Sequence, residues 1–550
     1  MEFTPITPPD VRPFWRRPGP LAAIAALALY ALLISRFILV CAGGSDSSGY
    51  LNHARLLATG HVHAPERVIE GLPAAQTPDY LYTPLGFKPA PDGHGLVPTY
   101  AAGFPLLVLA AAQVVGWAHA GDVVILLHAL LGVVLTYLLG RAAGLSRPGA
   151  VLGAAIIGAS PLYLQYSLQA MSDLPALVWV ALAVLLAFVA AKHERAIPWA
   201  VSAGIALSVA VLIRPNNILA LAAVLVALGW SPRRWLAVAL GGVPGAVFFC
   251  LHAKAAYGKF LTTGYGDSWS AFSFSLVPRT LLHYLHWLPA LFTPVVLLAV
   301  GLPWVKGAAP RAAAALGTWA LAFLAFYSAY YNTHETWWYL RFVLPAAPAL
   351  VIGGLLVARR IPAPIRNPLL YLLVVLGAYY AAYHYIPQAT RHFRFVLPLL
   401  LVLSLIIARH VALKIKGPAW TVFAAALALG VGNGAWWSRR FDVLDTSQAE
   451  QTYPRAMAWL NSHLPANAVV VAMQTTGAAY YYTHFILLRW DEISPRTFPP
   501  IVAAARADHR PIYAALYSFE SAEALQQHVP GSWSRQGTVA DVTIWRLNGE

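Results

Sequence analysis

The sequence LAAIAALALYALLISRFILVCAGGSDSSGYLNHARLLATG, residues 21–60, joins a long apolar run to a polar segment that begins abruptly. The apolar part is long enough to cross a bilayer, which takes about 20 residues. It is too long for the core of a signal peptide and no clear cleavage site follows it, so we predict a retained span. Gly43, Gly44 and Asp46 come next, and then a segment with helical spacing. The chain thus places a carboxylate at the membrane surface as soon as it leaves the bilayer.

The whole chain has the composition of a membrane protein. Of its 550 residues, 59% are hydrophobic and 11% are charged, whereas soluble domains carry roughly 25% charged residues. Apolar runs of about 20 residues recur along the chain, which predicts a polytopic α-helical membrane protein surrounded by membrane lipids. The net charge of +15 does not indicate nucleic-acid binding, because the basic residues lie between the apolar runs instead of on one soluble face.

The positions of the basic residues predict the topology. Fourteen apolar segments are present, and residues 98–117 (PTYAAGFPLLVLAAAQVVGW) are the doubtful one. If that segment lies on the outer surface and the other thirteen cross, every inner loop carries two or three cations, as the positive-inside rule requires. We therefore predict about 13 transmembrane helices in a cell inner membrane, with a cytoplasmic N-terminus. Residues 98–117 are either surface-lying or re-entrant.

The acidic residues give an independent test of this topology. Of the 22 Asp and Glu residues, only Glu2, Asp10 and Glu194 fall on the predicted inner side, and none lies in the middle of a span. Ion-coupled transporters usually need such an intramembrane carboxylate. We therefore expect the chemistry of this chain at the outer face of the membrane.

The polarity of the chain changes near residue 438. Residues 1–437 form the predicted transmembrane catalytic domain, whose first outer loop comprises residues 42–120. Residues 438–550 are more polar and alternate helical patterns with short strand patterns, which predicts a small soluble α/β domain on the extracytoplasmic side. This tail contains neither a Gly-rich phosphate loop nor a recognisable catalytic triad, so its expected role is a lid or a partner-binding cap.

Two outer aspartates each allow two interpretations. Asp46, or its neighbour Ser47, has the position of an N-cap for a helix over 48–59. Asp173 has the position of an N-cap for the span that contains Pro175. Alternatively, each carboxylate takes part in chemistry at the outer surface, and the order of motifs along the chain favours this second interpretation.

Three motifs occur in the order, and on the predicted side, that a known superfamily shows. Asp46 is followed by GYLNHARLLATG, Asp173 lies within SPLYLQYSLQAMSDLPALVWVALA, and Arg341 lies within THETWWYLRFVLPAAPAL. Up to about Pro348 the chain resembles the GT-C superfamily of membrane glycosyltransferases, in its mannosyltransferase-like and lipid A aminoarabinose transferase-like branch. The resemblance implies a GT-C-like fold and a donor sugar linked to polyprenyl phosphate or diphosphate. It also implies an acceptor that is a lipid, a glycan or a protein.

Glycosyl transfer explains why these residue types are needed. The acceptor hydroxyl loses its proton as it attacks the anomeric carbon, and a carboxylate can accept that proton. Asp46 is the predicted general base and Asp173 its assistant, and a single carboxylate opposite the phosphate implies inversion at the sugar. The departing phosphate is stabilised best by a bidentate arginine, for which we predict Arg341. The alternative is a snorkelling arginine at the interface, the favoured interpretation for the repeated RFVLP motif at Arg394.

Four further residues are predicted to contact the substrate. Arg214 lies in a tight outer turn (LIRPNNIL) close to the hydrocarbon, where a cation is costly without an anionic partner. Lys88 is another candidate for the phosphate, Glu335 for a sugar hydroxyl, and Tyr50 for contact with the substrate.

No cofactor is predicted. Superfamily members that bind a divalent metal tend to show paired acids at the second motif, where this chain has the single Asp173. Its 18 histidines show no metal-ligand spacing. The alternative function is non-catalytic, as a lipid-linked-glycan flippase or an assembly subunit in which the aspartates only cap helices. The enzyme, in contrast, requires Asp46, Asp173 and Arg341 to share one water-facing cavity.

Overall fold

The computed structural model of the protein describes residues 18–73, 77–266, 269–305, 310–362 and 419–548, and its first part is built from helices. Those before residue 260 are α1 (Pro18–Phe37), α2 (Ser45–Ala58), α3 (Gly103–Val115), α4 (Ala120–Ala142), α5 (Arg147–Ala159), α6 (Pro161–Tyr166), α7 (Asp173–Lys192), α8 (Ala196–Ile213), α9 (Ala220–Leu228) and α10 (Pro232–Tyr257). They are followed by α11 (Val277–Phe292), α12 (Pro310–Ser328), α13 (Ala347–Ala358) and α14 (Ala419–Arg440).

In the described ranges, five helical segments are long and apolar enough to cross a bilayer, by length and composition. They are α4, α7, α8, α10 and the continuous segment Trp337–Ala358. A sixth is obtained if Phe274–Phe292 and Pro294–Trp304, which meet at a bend of 111°, count as one broken span. The predicted helical membrane architecture is confirmed. The count of about 13 spans stays a prediction, because residues 363–418 lie outside the described ranges.

The doubtful segment 98–117 contains α3, a helix of 13 residues. At 1.5 Å per residue it is about 20 Å long, and the hydrocarbon core of a bilayer is about 30 Å thick. By itself α3 is therefore too short to cross. It packs against α2, α4 and α8, which places it beside the first polar helix.

Two helix boundaries bring polar side chains to one end of the bundle. α8 ends at Ile213 because Arg214 precedes Pro215, and a residue before proline is forced out of the helical conformation. Arg214 accordingly adopts φ −145° and ψ 115°. α7 packs along α8 and begins at Asp173, with Ser172 as its N-cap residue. The start of α7 and the end of α8 therefore lie side by side.

The tail forms a five-stranded sheet with helices on both faces. Its strands are β3 (Val469–Ala472), β4 (Ile486–Arg489), β5 (Ile512–Tyr517), β6 (Trp533–Val539) and β7 (Val542–Leu547), in the order β4-β3-β5-β7-β6. β3 is parallel to β4 and β5, whereas β7 is antiparallel to β5 and β6. The packed helices are Thr452–His463, Thr476–Tyr482 and Phe498–Ala507. The predicted α/β alternation is found, and its bounds and its place outside the membrane stay predictions.

The tail packs on the first loop and covers α2. The Ala42 amide donates to the Tyr482 hydroxyl at 3.0 Å, and the Asn52 side-chain amide donates to the Gly477 carbonyl at 3.0 Å. A Cβ on Gly477 would lie 2.1 Å from the Ser48 hydroxyl oxygen, so a side chain at position 477 would displace Ser48.

α2 also packs against the start of a short hairpin in the same loop. Its strands are β1 (Phe87–Pro89) and β2 (Leu96–Pro98), paired antiparallel. Gly86, with φ +92°, precedes β1, and a Cβ there would lie 2.4 Å from the Cα of Gly49 in α2. Only glycine satisfies both the backbone conformation and the close approach. The hairpin and the tail together fix the position of α2.

Candidate active site

Neither predicted site aspartate serves as a helix cap. α2 begins at Ser45 with Gly44 as its N-cap residue, and no side chain accepts a capping hydrogen bond. Asp46 therefore lies within the first turn. Asp173 is likewise the first residue of α7, whose N-cap Ser172 makes no side-chain capping bond. The capping interpretation is wrong for both residues, although the positive end of each helix dipole favours a carboxylate there.

Asp46 forms an ion pair with Arg341. The Nη1 atom of Arg341 donates to Oδ2 of Asp46 at 2.8 Å, and the two side chains are 16% and 25% exposed, respectively. Arg341 lies in the 3₁₀ segment Trp337–Ala346, far along the chain from α2. The pair excludes the snorkelling interpretation of Arg341, since its guanidinium is directed at a carboxylate and not at open water. Arg394 lies outside the described residues.

Asp173 forms a second ion pair, with Arg214. The Nη2 atom of Arg214 lies 2.9 Å from Oδ1 of Asp173, whose side chain is fully buried. The Nε atom of the same guanidinium donates to the Ser172 hydroxyl at 2.9 Å. Ser172 also shares a 2.7 Å hydrogen bond with the Tyr50 hydroxyl. Because Tyr50 lies one helical turn after Asp46, this chain of contacts connects the two ion pairs.

The ring of Phe342 lies between the two cations. The guanidinium carbons of Arg341 and Arg214 are 5.2 Å and 5.7 Å from its centre. The structure therefore brings together Asp46, Arg341, Asp173 and Arg214, four residues that span 295 positions of the chain. The Asp46–Arg341 pair forms the open end of this four-residue cluster, and the Asp173–Arg214 pair forms its closed end.

Asp46 is kept ionised by its neighbours. Burial raises the pKa of its carboxyl group, but the charge of Arg341, a hydrogen bond from the Tyr100 hydroxyl and the charge of Arg214 outweigh burial and bring this pKa below its ordinary value. The pKa of Tyr100 is raised by burial and by the charge of Asp46, so Tyr100 remains a hydrogen-bond donor. Asp46 is thus an anion at neutral pH, available to accept a proton.

Two predicted site residues lie away from the cluster. Lys88 is on β1. A Cβ on Gly266 would lie 3.2 Å from the Nζ atom of Lys88, so the amine lies beside Gly266. Gly266 is next to Tyr265, whose ring packs 6.0 Å from that of Tyr100. Lys88 thus lies at the edge of the site. Glu335 is exposed, and in the described ranges it forms no ion pair with Arg341 or Arg214.

Sequence reasoning missed Ser172, Tyr100 and Phe342. Ser172 precedes Asp173 and Phe342 follows Arg341, so adjacency to a predicted site residue was the available signal. Tyr100 lies at the start of the doubtful segment, and no motif marks it. In the described ranges, no three His, Cys, Asp or Glu side chains are placed to hold a metal ion together.

Comparison with known proteins finds similarity both to a family model and to solved structures. The family model of dolichyl-phosphate-mannose-protein mannosyltransferases matches residues 105–254, which include Asp173 and Arg214. The apo crystal structure of ArnT from Cupriavidus metallidurans superimposes with a TM-score of 0.60, at 14% identity, over 96% of this chain and 98% of that one. This chain has the GT-C fold. No curated protein matches its sequence significantly.

The GT-C fold confirms the resemblance that the three motifs predict. ArnT from the same organism bound to undecaprenyl phosphate also matches, with a TM-score of 0.56 at 13% identity over 96% of this chain and 98% of that one. The match covers the tail as well as the helices, so the GT-C fold extends beyond the region in which the sequence motifs occur.

We expect that removing Arg214 from the buried Asp173–Arg214 pair lowers the free energy of unfolding of the protein. In Arg214→Met the buried Asp173 carboxylate loses its cation, which costs about 3–5 kcal/mol for a buried pair. Thermal unfolding of the detergent-solubilised protein measures this loss. Adding Asp173→Asn to the Arg214→Met variant removes the unpaired charge, so the melting temperature should recover in part. Equal melting temperatures for wild type and Arg214→Met would contradict the pairing.

Proposed function

We propose that this chain is a membrane glycosyltransferase that moves one sugar from a polyprenyl-phosphate or polyprenyl-diphosphate donor to an acceptor hydroxyl at the outer face of the membrane. The observation that carries the proposal is the half-open Asp46–Arg341 pair, which offers a base and a phosphate-binding cation at one place. The shared fold with ArnT, which binds undecaprenyl phosphate, supports a lipid-linked donor. We assign the transfer an inverting mechanism.

In the proposed reaction, Asp46 accepts the proton of the acceptor hydroxyl as its oxygen bonds to the anomeric carbon. The bond between that carbon and the phosphate oxygen breaks on the opposite face, and its electron pair leaves with the polyprenyl phosphate. Arg341 donates hydrogen bonds to the phosphate oxygens, where the negative charge increases. No proton needs to be given to this leaving group, so one base and one cation are sufficient.

The resting pair also explains how the base would be activated. Arg341 holds the pKa of Asp46 down, which makes the carboxylate a weak proton acceptor until the donor binds. A guanidinium has five N–H donors and can reach a phosphate and a carboxylate together. We infer that the donor phosphate takes over part of Arg341 and thereby raises the proton affinity of Asp46. Binding of the donor and activation of the base are then one event.

The remaining polar residues have supporting roles in this proposal. Arg214 and Asp173 set the electrostatic field behind the reacting groups, since Arg214 contributes to the pKa of Asp46. The hydrogen bond between the Tyr50 and Ser172 hydroxyls fixes α2 relative to the start of α7. Lys88 guides the donor phosphate at the edge of the site. Glu335 meets a sugar or acceptor group that approaches from outside, because its side chain is exposed.

The proposal is tested by the pair Asp46→Asn and Asp92→Asn. Cell-envelope glycans are compared by mass spectrometry in cells that lack the protein and in cells that express each variant. Asp46→Asn should lose transfer by roughly a hundredfold or more, the size of a general-base contribution, with normal amounts of protein in the membrane. Asp92 is a matched control in the same loop, with a side chain that is 54% exposed, and its variant should act like wild type. Unchanged glycans with Asp46→Asn would favour the non-catalytic flippase or assembly subunit.

We expect Arg341→Gln to move the pH dependence of transfer in a defined direction. Without the guanidinium, the largest of the effects that offset burial of Asp46 is lost, so its pKa rises and the loss of kcat/KM at acid pH begins at higher pH. The exposed Arg496→Gln in the tail serves as the control. The measurement is kcat/KM against pH in membranes, with the donor and acceptor identified from the glycan comparison. If the most acid limb of the profile, the one assigned to Asp46, stays at its wild-type pH, Arg341 does not control the pKa of Asp46.

A further inference from the structure

The two glycines before Asp46 lie against a carboxyl group from the tail. A Cβ on Gly43 would be 1.7 Å from Oε2 of Glu450 and 2.9 Å from its Cδ. Glu450 ends the short helix Thr446–Glu450, and its backbone carbonyl accepts a hydrogen bond from the Cys41 thiol at 3.4 Å. The Glu450 carboxyl group therefore occupies the space that a side chain at position 43 would need.

Glu450 has no cation partner among the described residues. Its interactions with titratable groups involve the Cys41 thiol, the Asp46 carboxylate and the phenols of Tyr453 and Tyr517. Burial and, to a lesser extent, the charge of Asp46 raise the pKa of Glu450 to about 7, against a hydrogen bond from the Gly44 amide that lowers it. The carboxyl group thus faces the N-terminus of α2 and changes charge near neutral pH.

We propose that Glu450 is a positioning residue for the transfer reaction, which fills the space beside Gly43, accepts a hydrogen bond from the Gly44 amide and so fixes the loop that carries Asp46. This inference rests on the proposed function of Asp46. It gives the tail a direct part in the site, as a residue that acts through the general base. It also accounts for glycine at position 43, where any side chain would displace Glu450.

The ionised form of Glu450 is the one that supports transfer. A carboxylate accepts the Gly44 hydrogen bond more strongly than a neutral acid does. Its negative charge also raises the proton affinity of Asp46, which makes Asp46 a stronger base. Transfer should therefore increase as the pH rises through about 7. Ionisation of Asp46 does not explain an increase of kcat/KM near pH 7, because the pKa of Asp46 in the free enzyme is below its ordinary value.

A double-mutant cycle with Gly43→Ala and Glu450→Ala tests the contact. Each change displaces or removes the same carboxyl group, so we expect each to lower kcat/KM by about tenfold, which corresponds to 1.36 kcal/mol. The double variant should be no worse than either single variant, as for residues that act as one unit. Gly242→Ala, whose Cβ meets no atom within 4 Å, should equal wild type. Multiplied losses in the double variant would overturn the proposal.

The pH profile of Glu450→Gln separates positioning from packing alone. Glutamine keeps the shape and can accept the Gly44 hydrogen bond, but it does not ionise. The variant should keep measurable turnover and lose the limb of kcat/KM centred near pH 7. A limb that persists in Glu450→Gln overturns the role of Glu450 and leaves the proposed function intact. If Asp46→Asn is as active as wild type, the proposed function itself fails, and the two failures are thus distinguishable.

Discussion

The site depends on two carboxylate–guanidinium pairs, Asp46–Arg341 and Asp173–Arg214, whose two guanidinium groups both lie beside the ring of Phe342. A buried charge is tolerated only when it is paired and hydrogen-bonded, because the loss of hydration costs several kcal/mol per ion. The side chain of Asp173 is fully buried, and because α8 ends at Arg214, a guanidinium nitrogen lies 2.9 Å from its carboxyl group. The outer pair, Asp46 and Arg341, is more exposed than this inner pair, and we propose that it is the one that exchanges partners with a substrate.

The geometry of the outer pair depends on the position of α2, which carries Asp46. Close approaches at two glycines fix this position: Gly86 of the first loop meets the backbone of Gly49, and Gly477 of the tail meets the hydroxyl of Ser48. Each approach removes a side chain that would otherwise separate the segments. In this structure the tail packs directly against the segment that carries Asp46. Its sequence, in contrast, predicts only a lid or a partner-binding cap.

The sequence predicts the parts of this structure that are local. The apolar runs predict helices, the alternation in the tail predicts its sheet, and three short motifs predict the GT-C fold together with Asp46, Asp173 and Arg341. Strand β6 (WSRQGTV) escapes prediction because it is an exposed edge strand without an apolar pattern. Asp46 pairs with Arg341, and Gly43 lies against Glu450. In both cases the two residues are hundreds of positions apart, and hydrophobic periodicity does not indicate which distant side chains meet. These long-range contacts are therefore visible only in the structure.

In the proposed mechanism, the donor phosphate binds Arg341 and displaces it from Asp46. The most direct test of this step is a pair of cryo-electron microscopy structures of the full chain in lipid nanodiscs, without ligand and with undecaprenyl phosphate. The account predicts the 2.8 Å Asp46–Arg341 contact in the first structure. In the second, it predicts phosphate oxygens within hydrogen-bond distance of Arg341 and a longer distance from Arg341 to Asp46. A phosphate bound elsewhere, with the Asp46–Arg341 contact unchanged, would contradict it.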